Sequence, residues 1–142
     1  MSNQIFSVNI SACSENDFPV ITKLISEFYL DDNDLKSAQF LIAKDKGKVV
    51  GFGRLRQYPS CSELCSLGVV EDLRLKGIGS AVSRALIKKS TFPLYTVTII
   101  PEFFSRFGFK IVTDFPTEIG VKHSYCTNAL TVPETYVVME FN

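Results

Sequence analysis

A glycine-containing turn between a strand and a helix is the most informative chemical feature of this sequence. Residues 63–70 form an apolar strand pattern, and residues 78–86 carry apolar side chains at helical spacing. Between them, Gly77 and Gly79 let the backbone approach a ligand without a Cβ atom in the way. Because a helix start presents unpaired N–H groups with a partial positive charge, the pattern predicts an anion site that suits a pyrophosphate.

Two other phosphate-binding motifs do not fit this turn. A P-loop requires Gly-x-x-x-x-Gly-Lys-Ser/Thr, and the dinucleotide fingerprint requires Gly-x-Gly-x-x-Gly, whereas only Gly-x-Gly is present here. On glycine spacing alone, a tight structural turn explains the two glycines as well as a phosphate site does. The flanking residues must therefore separate the two interpretations.

The wider pattern resembles the coenzyme A-binding signature of the GNAT N-acetyltransferase superfamily, Arg/Gln-x-x-Gly-x-Gly/Ala. The matching segment is Val69-x-x-x-x-Arg74-x-x-Gly77-x-Gly79, preceded by an apolar strand. Downstream, Phe103-Phe104-Ser-Arg-Phe107-Gly108-Phe109 resembles the superfamily's Phe-Tyr-x-x-x-Gly-Phe element. Both motifs occur in the superfamily's order, separated by a helix and a strand of suitable length.

The resemblance implies a cosubstrate, acetyl-CoA, and the residues that hold it. In the superfamily, turn amides cradle the pyrophosphate, and the pantetheine arm lies between two splayed parallel strands, here residues 63–70 and 94–100. The Leu67 N–H is then expected to polarise the thioester carbonyl and stabilise the oxyanion. The cofactor-binding residues implied are Leu67, Gly68, Val69, Arg74, Leu75, Lys76, Gly77, Ile78, Gly79, Ser80 and Phe104.

An attacking amine must lose a proton, so the site needs a base. Glu63 matches the position of a glutamate base in histone-acetylating members, and its strand also resembles that of N-acetylglutamate synthases, Glu-Leu-x-x-Leu-x-Val. A strand period of two places Glu63 on one face with Cys65, Leu67 and Val69, unless a bulge shifts the phase. The alternative is a structural carboxylate paired with a neighbouring Arg or Lys.

Two residues depart from the superfamily pattern. Phe104 replaces the tyrosine that many members use as general acid, although N-acetylglutamate synthases also carry Phe-Phe there. Tyr125, in the connection over residues 113–135, is one candidate to supply that proton, with an ordinary loop tyrosine as the alternative. Leu75 replaces a frequent glycine. Phe104 keeps a second function open, a non-catalytic acyl-CoA-binding or sensing domain.

Three other reactive features receive structural interpretations. His123 is interpreted as a surface residue of a loop, because no motif supports a catalytic histidine. Cys65 is interpreted as a small buried apolar group rather than an acylated nucleophile. The acidic run over residues 31–34 could attract a cationic amine, but a solvated helix-end loop is the simpler account.

The remaining chain supplies the elements that position the turn. Strands are predicted at residues 5–10, 40–43, 49–55, 63–70, 94–100, 109–112 and 136–141, and helices from 17, from 78 and over 101–107. This order predicts an α/β (α+β) fold, with a GNAT-like mixed, mostly antiparallel central sheet of six to seven strands and helices on both faces. Residues 113–135 are predicted to be an unusually long connection, and residues 1–142 a single domain.

Composition excludes several functional classes. Fifteen basic and fifteen acidic side chains cancel, so we expect neither nucleic-acid nor anionic-membrane binding. No apolar run approaches the ~20 residues of a membrane helix, and residues 1–10 lack a secretory pattern. Four cysteines without a Cys-x-x-Cys pair and a single histidine predict free thiols, no metal and a cytoplasmic location.

The leading hypothesis is an N-acetyltransferase that transfers an acetyl group from acetyl-CoA to a primary amine by direct attack, with Glu63 as general base. The acceptor is a small amine or an amino acid, with a protein lysine as a further alternative. The likeness to N-acetylglutamate synthases favours amino acids. A homodimer is left open.

Overall fold

Seven strands form one sheet in a computed structural model that describes residues 8–130 and 132–142. The strands are β1 (Asn9–Ala12), β2 (Phe40–Asp45), β3 (Lys48–Gln57), β4 (Ser62–Val69), β5 (Leu94–Thr98), β6 (Phe109–Ile111) and β7 (Val137–Phe141). Their order is β1-β2-β3-β4-β5-β7-β6, with β4 and β5 parallel and the other neighbours antiparallel. The predicted mixed, mostly antiparallel sheet is confirmed. Part of the first predicted strand, residues 5–7, lies outside the described residues.

Helices cover both faces of the sheet, as predicted. They are α1 (Phe18–Glu27), α2 (Ile78–Lys89), α3 (Pro101–Ser105) and α4 (Thr117–Ala129). Packing of α1 against β2 and β3 forms one apolar cluster, and α4 contributes to a neighbouring cluster with β5 and β7. The opposite face packs against α2 and α3. Among the described residues, none of these helices combines the length and apolar character needed to cross a membrane.

Successive side chains of β2 alternate between the two faces of the sheet, one covered by α1 and the other by α2. Phe40 and Ile42 point into the α1 cluster, whereas Leu41 and Ala43 belong to the α2 cluster. Successive side chains of a strand face opposite sides of a sheet, so a strand covered on both faces is apolar throughout. This burial explains why the short run over residues 40–43 is continuously apolar.

Helix α2 lies close against β3 because a glycine removes the side chain between them. A Cβ atom built on Gly53 would come within 2.6 Å of Leu86 and 2.9 Å of Val82. Ile78, Val82 and Leu86 repeat at the spacing of one helix face and are buried. A Cβ atom built on Gly51 would likewise come within 2.7 Å of Ile78, so the first turn of α2 also lies close against β3.

The long connection predicted over residues 113–135 contains a helix, so that prediction is wrong. Helix α4 buries Ile119, Lys122 and Cys126, at spacings of three and four residues. Because one of these buried residues is Lys122, apolar side chains alone do not repeat at helical spacing along α4, and the helix is not predicted from them. Consequently Tyr125 and His123 lie on a helix rather than in a loop, and a ring nitrogen of His123 lies 3.0 Å from the carbonyl oxygen of Tyr136.

Candidate active site

Strand β4 contains a bulge in its middle. Phe52 pairs with Gly68 and Arg54 pairs with Cys65, so Gly53 alone faces the two β4 residues Ser66 and Leu67. Ser66 has a φ of +48°, in the left-handed region that few non-glycine residues adopt. Its hydroxyl donates a 3.0 Å hydrogen bond to the carbonyl oxygen of Asp31 and holds this conformation.

This bulge makes the prediction of a shared face wrong. Leu67 and Val69 pack into the α2 cluster, whereas Glu63 contacts Lys122 of α4 on the opposite face of the sheet. The extra residue shifts the strand's period of two by one position, so Glu63 and Cys65 face away from Leu67. The two halves of β4 therefore serve different sides of the sheet.

Strands β4 and β5 pair in parallel, as predicted, but only over a short length. Within the described chain, the paired positions are Ser62 with Leu94 and Glu63 with Tyr95. One step further along, the Thr96 hydroxyl donates a 2.8 Å hydrogen bond to the carbonyl oxygen of Leu64. The described pairing of β4 with β5 goes no further, so the β4 backbone from Leu67 onwards has no β5 partner, and we call this unpaired edge the cofactor slot. An extended ligand arm could bind there as an added strand does.

The turn before α2 has the features of an anion site. Gly77, the N-cap residue, has a φ of +87°, and no side chain caps the helix. The first turn of α2 contains no acidic residue, and a Cβ atom built on Gly77 would meet nothing within 4 Å. Uncapped N–H groups, with open space beside Gly77, provide the donors that the pyrophosphate of coenzyme A would need.

The other predicted cofactor residues occupy different environments. Lys76 is exposed and Ser80 is half-buried, so both are accessible at the turn, whereas the Ile78 side chain is buried. Arg74 folds back, because its Nε donates a 2.9 Å bond to the Val69 carbonyl oxygen and its guanidinium carbon lies 4.9 Å from the centroid of the Phe28 ring. The Arg74 side chain therefore stabilises the turn through contacts within the protein.

Phe104 lies in the core between other aromatic rings. Its ring meets Phe103 edge-on at a centroid distance of 4.9 Å and Phe109 at 5.6 Å. The side chain is only 4% exposed. By contrast, a ring atom of Phe103 lies 3.7 Å from the position of a Cβ atom on Gly79, so Phe103 is the aromatic residue beside the glycine turn.

On the α4 face, Glu63 is the centre of a buried charged cluster. Its Oε1 accepts a 2.8 Å hydrogen bond from the Tyr58 hydroxyl, and its Oε2 accepts one from Lys122 Nζ. Lys122 Nζ also lies 2.9 Å from Asp31 Oδ2, and Arg56 Nη1 lies 3.9 Å from the same oxygen. Glu63 is therefore paired with a lysine, Lys122. The sequence analysis named such a pair as the alternative to a catalytic role for Glu63.

The environment shifts three pKa values in this cluster. For Asp31, burial favours the neutral form, but the Lys122 ammonium and the Asn33 N–H outweigh it and lower the carboxyl pKa. For Lys122, burial opposes the charge, but the surrounding groups, including Glu63 and Asp31, raise its pKa well above the ordinary value. Burial and the Glu63 carboxylate raise the pKa of Tyr58, so its hydroxyl stays protonated at neutral pH.

A cavity of about 240 Å³ opens beside the cluster. Its lining combines both signs of charge with two phenol rings, from Asp31, Asn33, Arg56, Tyr58, Glu118, Val121, Lys122 and Tyr125. The Arg56 guanidinium lies 3.9 Å from Asp31 Oδ2, beyond hydrogen-bond distance, and 5.4 Å from the centroid of the Tyr58 ring. The cavity therefore offers a cation whose donors are available to a ligand.

The sequence suggested that the acidic run after α1 is a solvated loop, and for Asp31 this interpretation is wrong. Asp31 is 4% exposed and belongs to the charged cluster. Arg54, which is fully buried, donates hydrogen bonds of 2.8 Å and 2.9 Å to the carbonyl oxygens of Asn33 and Asp34. This buried arginine fixes the loop that forms one wall of the cavity.

Sequence reasoning missed Arg56, Tyr58 and Lys122 as site residues. The signal for the first two was present, because Arg54, Arg56 and Tyr58 alternate at the end of an otherwise apolar strand. Charged residues at one face of a buried strand require partners there, and Arg56 pairs in register with Glu63. No comparable local signal marked Lys122, since its helix was not predicted.

Known proteins share this fold. One relative is an uncharacterized N-acetyltransferase of Chlorobaculum tepidum, which is 28% identical over 106 residues that make up 70% of this chain and 68% of the relative. The N-acetylglutamate synthase of Neisseria gonorrhoeae, solved with coenzyme A and N-acetyl-glutamate, superposes with a TM-score of 0.75 and 18% identity over 98% of this chain. This chain spans only 36% of that synthase.

Two shorter proteins match over nearly their whole length. Rv2747 of Mycobacterium tuberculosis, in complex with CoA and NLQ, has a TM-score of 0.77 and 21% identity over 94% of this chain and 98% of its own. Arabidopsis thaliana Naa50, in complex with a bisubstrate analogue, has a TM-score of 0.70 and 18% identity over 96% and 99%. The model of the acetyltransferase (GNAT) family matches residues 9–93, more than half of the chain, and the protein therefore belongs to this family.

Proposed function

We propose that this protein is an N-acetyltransferase that transfers the acetyl group of acetyl-CoA to the primary amine of a small acceptor by direct attack, with Glu63 as the general base. The bulge at Ser66 carries this proposal. Its hydroxyl is bonded to the backbone of Asp31, which lines the charged cavity, while the next residue, Leu67, turns to the α2 side. One short segment thus links an acceptor cavity to a cofactor slot.

On the cofactor side, the chain's own backbone does the binding. When bound, acetyl-CoA supplies the activated acetyl thioester. We assign its pyrophosphate to the turn over residues 74–80, with Gly77 and Gly79 foremost. We assign the oxyanion contact to the Leu67 N–H, in the cofactor slot.

Direct attack by the acceptor amine, without an acyl-cysteine intermediate, is supported by the protonation state of the Cys65 thiol. Cys65 is buried beside Glu63, and burial raises its pKa to about 12. A thiol with this pKa is not ionised at neutral pH, and only the thiolate is an effective nucleophile. An acyl-cysteine intermediate at this position is therefore disfavoured, and the acceptor amine itself attacks.

The cavity favours an acceptor that carries a carboxylate as well as an amine, such as an amino acid. Asp31 and Glu118 provide negative charge for an ammonium group. Arg56 also lines the cavity, and its guanidinium has the fork geometry that binds a carboxylate by two hydrogen bonds. The synthase of Neisseria gonorrhoeae was solved with N-acetyl-glutamate, which is consistent with this substrate class.

A panel of amines with acetyl-CoA, read by thiol release, tests the proposal. The panel pairs each amino acid with the amine that remains when its carboxylate is removed, and it includes a lysine-containing peptide. We expect turnover of amino acids, with a higher KM for the decarboxylated partners because Arg56 loses its ligand. Thermal stabilisation by acetyl-CoA without thiol release from any amine would favour the sensing function and contradict the proposal.

Glu63→Gln tests the base. The change is nearly isosteric, and a positioned base contributes about 10²–10⁴-fold to turnover, so kcat at neutral pH should fall by that order. The stabilisation by acetyl-CoA should be unchanged, because Glu63 lies on the opposite face from Leu67 and the cofactor slot. Full activity of this variant at neutral pH would place the base elsewhere.

A further inference from the structure

Glu63 is placed where an acceptor in the cavity does not reach it. Its side chain is 0% exposed, and Glu63 is not among the described residues that line the cavity. Both carboxylate oxygens are already engaged, one by Tyr58 and the other by Lys122. A base in this position must receive its proton through one of the two groups that touch it.

The two groups differ in what they can do with a proton. The Lys122 ammonium is a donor without a lone pair, and its charged partners keep it protonated. It therefore cannot accept a proton from an amine while it remains charged. The Tyr58 hydroxyl is both donor and acceptor and lies 2.8 Å from Glu63 Oε1, and Tyr58 is one of the lining residues of the cavity.

We infer that Tyr58 is a further catalytic residue, which relays the proton of the acceptor amine to Glu63. The acceptor N–H proton passes to Tyr58 Oη as the Tyr58 hydroxyl proton passes to Glu63 Oε1. Tyr58 is neutral before and after the step, the ammonium becomes a free amine, and the Glu63 carboxylate becomes a carboxylic acid. The same two hydrogen bonds return the proton to solvent after the product leaves. This inference rests on the proposed function, because it requires the acceptor to bind in this cavity.

The surroundings of Tyr58 hold its ring in place for this role. Its backbone N–H donates a 2.8 Å hydrogen bond to the carbonyl oxygen of Cys61 in the turn that follows β3. The Arg56 guanidinium lies over its ring at 5.4 Å. A carboxylate bound by Arg56 would therefore bring the rest of a small acceptor next to the Tyr58 hydroxyl.

Tyr58→Phe is the main test, because it removes the hydroxyl and keeps the ring beneath Arg56. We expect kcat at neutral pH to fall by about 10²-fold or more, the usual contribution of a proton-transfer group. The stabilisation by acetyl-CoA should not change. Tyr95→Phe is the matched control, since Tyr95 is a buried tyrosine paired in register with Glu63 but is not a lining residue of the cavity. Its kcat should equal that of the wild type.

A double variant distinguishes a relay from two separate effects. Residues that act in series give non-additive losses, so Tyr58→Phe combined with Glu63→Gln should be no slower than the slower single variant. The deficit of Tyr58→Phe should also shrink as pH rises through the pKa of the acceptor, because the amine then arrives deprotonated. A hydroxyl with a purely structural role would lower thermal stability without this pH-dependent deficit. Multiplied losses in the double variant would overturn the relay.

The outcomes separate the relay from the proposed function. If Tyr58→Phe keeps the wild-type kcat while Glu63→Gln loses activity, the relay is wrong and the acetyltransferase proposal stands. If wild-type protein releases no thiol with any amine, the proposed function fails and the relay fails with it.

A measurement on the wild type covers the case in which Tyr58→Phe does not fold. Two protons move together in the relay, so kcat/KM for the acceptor should fall along a curve as the deuterium fraction of the solvent rises. A straight line, which indicates one proton in flight, would overturn the relay.

Discussion

In the segment from β4 to the start of α2, two non-glycine residues adopt left-handed backbone conformations. Ser66 has a φ of +48° at the β4 bulge, and Leu75 has a φ of +65° in the turn before α2. This conformation costs a non-glycine residue roughly 1–2 kcal/mol, and such strain is concentrated at functional sites. Leu75 also explains why the superfamily often places glycine there, since glycine adopts this φ without a penalty. Its side chain is fully exposed and contributes no packing to offset the strain.

Phe104, where the superfamily often has a tyrosine, is expected to matter more for folding than for chemistry. Phe104→Ala removes a buried ring between Phe103 and Phe109, so the free energy of unfolding should fall by ~3–5 kcal/mol. Phe92→Ala is the control, because Phe92 is 62% exposed and should cost much less. Urea unfolding of both variants measures the difference. Equal losses would show that Phe104 does not belong to the core.

At the scale of elements, β4 and α2 contribute different parts of the proposed site. The first half of β4 presents Glu63 to α4, and the bulge then turns Leu67 towards α2. Helix α2 is positioned by its close packing on β3 at Gly53, so its uncapped N-terminus is held in a fixed place. The charged cavity and the slot that we propose for the cofactor thereby lie on opposite faces of the sheet at β4.

Two substitutions of Gly79, at the start of α2, distinguish the effect of a negative charge on acetyl-CoA binding from the effect of side-chain volume. Acetyl-CoA at a hundred times its dissociation constant should stabilise the protein by ~2.7 kcal/mol. Gly79→Asp should abolish this stabilisation, because its carboxylate would face the pyrophosphate that we assign to this turn. Without ligand the variant should fold normally, since a Cβ atom at Gly79 makes ordinary contacts of 3.6 Å with Val69 and 3.7 Å with Phe103. An acidic residue in the first turn of a helix is also favourable.

Gly79→Asn is the matched control for this prediction. Its side chain has nearly the same volume as aspartate and no charge, so part of the stabilisation by acetyl-CoA should remain. Thermal melts with and without the cofactor measure both variants. An unchanged ligand-induced shift in Gly79→Asp would move the pyrophosphate to another part of the molecule.

At the scale of the whole molecule, the charged cluster joins parts of the chain that are distant in sequence. Asp31 follows α1, Glu63 lies on β4 and Lys122 lies on α4. Buried charges are stable only when they are paired, so these residues couple the packing of the loop, the sheet and the helix. The site should therefore form only when all of these elements are assembled.

The lowered pKa of Asp31 predicts how the stability of the protein depends on acid. The unfolded chain protonates this carboxyl near its ordinary pKa of ~3.9, whereas the folded chain keeps it charged to lower pH. Its contribution is fully present above about pH 4 and is lost as pH falls through the lower folded pKa. Asp31→Asn should cost ~1.5–3 kcal/mol at pH 7, the range for hydrogen bonds to charged groups.

Below about pH 4, the gap between wild type and Asp31→Asn should close, as measured by urea unfolding across the pH range. Asp17→Asn is the control, because Asp17 also has a lowered pKa but forms a more exposed pair with Lys44, at 3.1 Å. Its gap at pH 7 should be smaller, since solvent screens exposed pairs. A gap for Asp31→Asn that stays constant with pH would show that its charge does not stabilise the fold.

The sequence by itself determined the features that repeat locally. Apolar periodicity predicted α1, α2 and the strands, because the period of a strand or helix is a property of a few consecutive residues. The glycine turn and the downstream Phe-Phe segment were sufficient to indicate the family. The resemblance to the family in turn implied a parallel pair of strands, and β4 and β5 pair in parallel.

The tertiary structure alone decided which side chains meet. The bulge at Ser66 depends on a hydrogen bond to Asp31, 35 residues away, so no local pattern could place Glu63 and Leu67 on opposite faces. Helix α4 was hidden because Lys122 fills a buried position that would be apolar in an ordinary amphipathic helix. That lysine is stable there only because two carboxylates from other parts of the chain surround it. The charged cavity is therefore a product of long-range pairing, which a local sequence pattern does not encode.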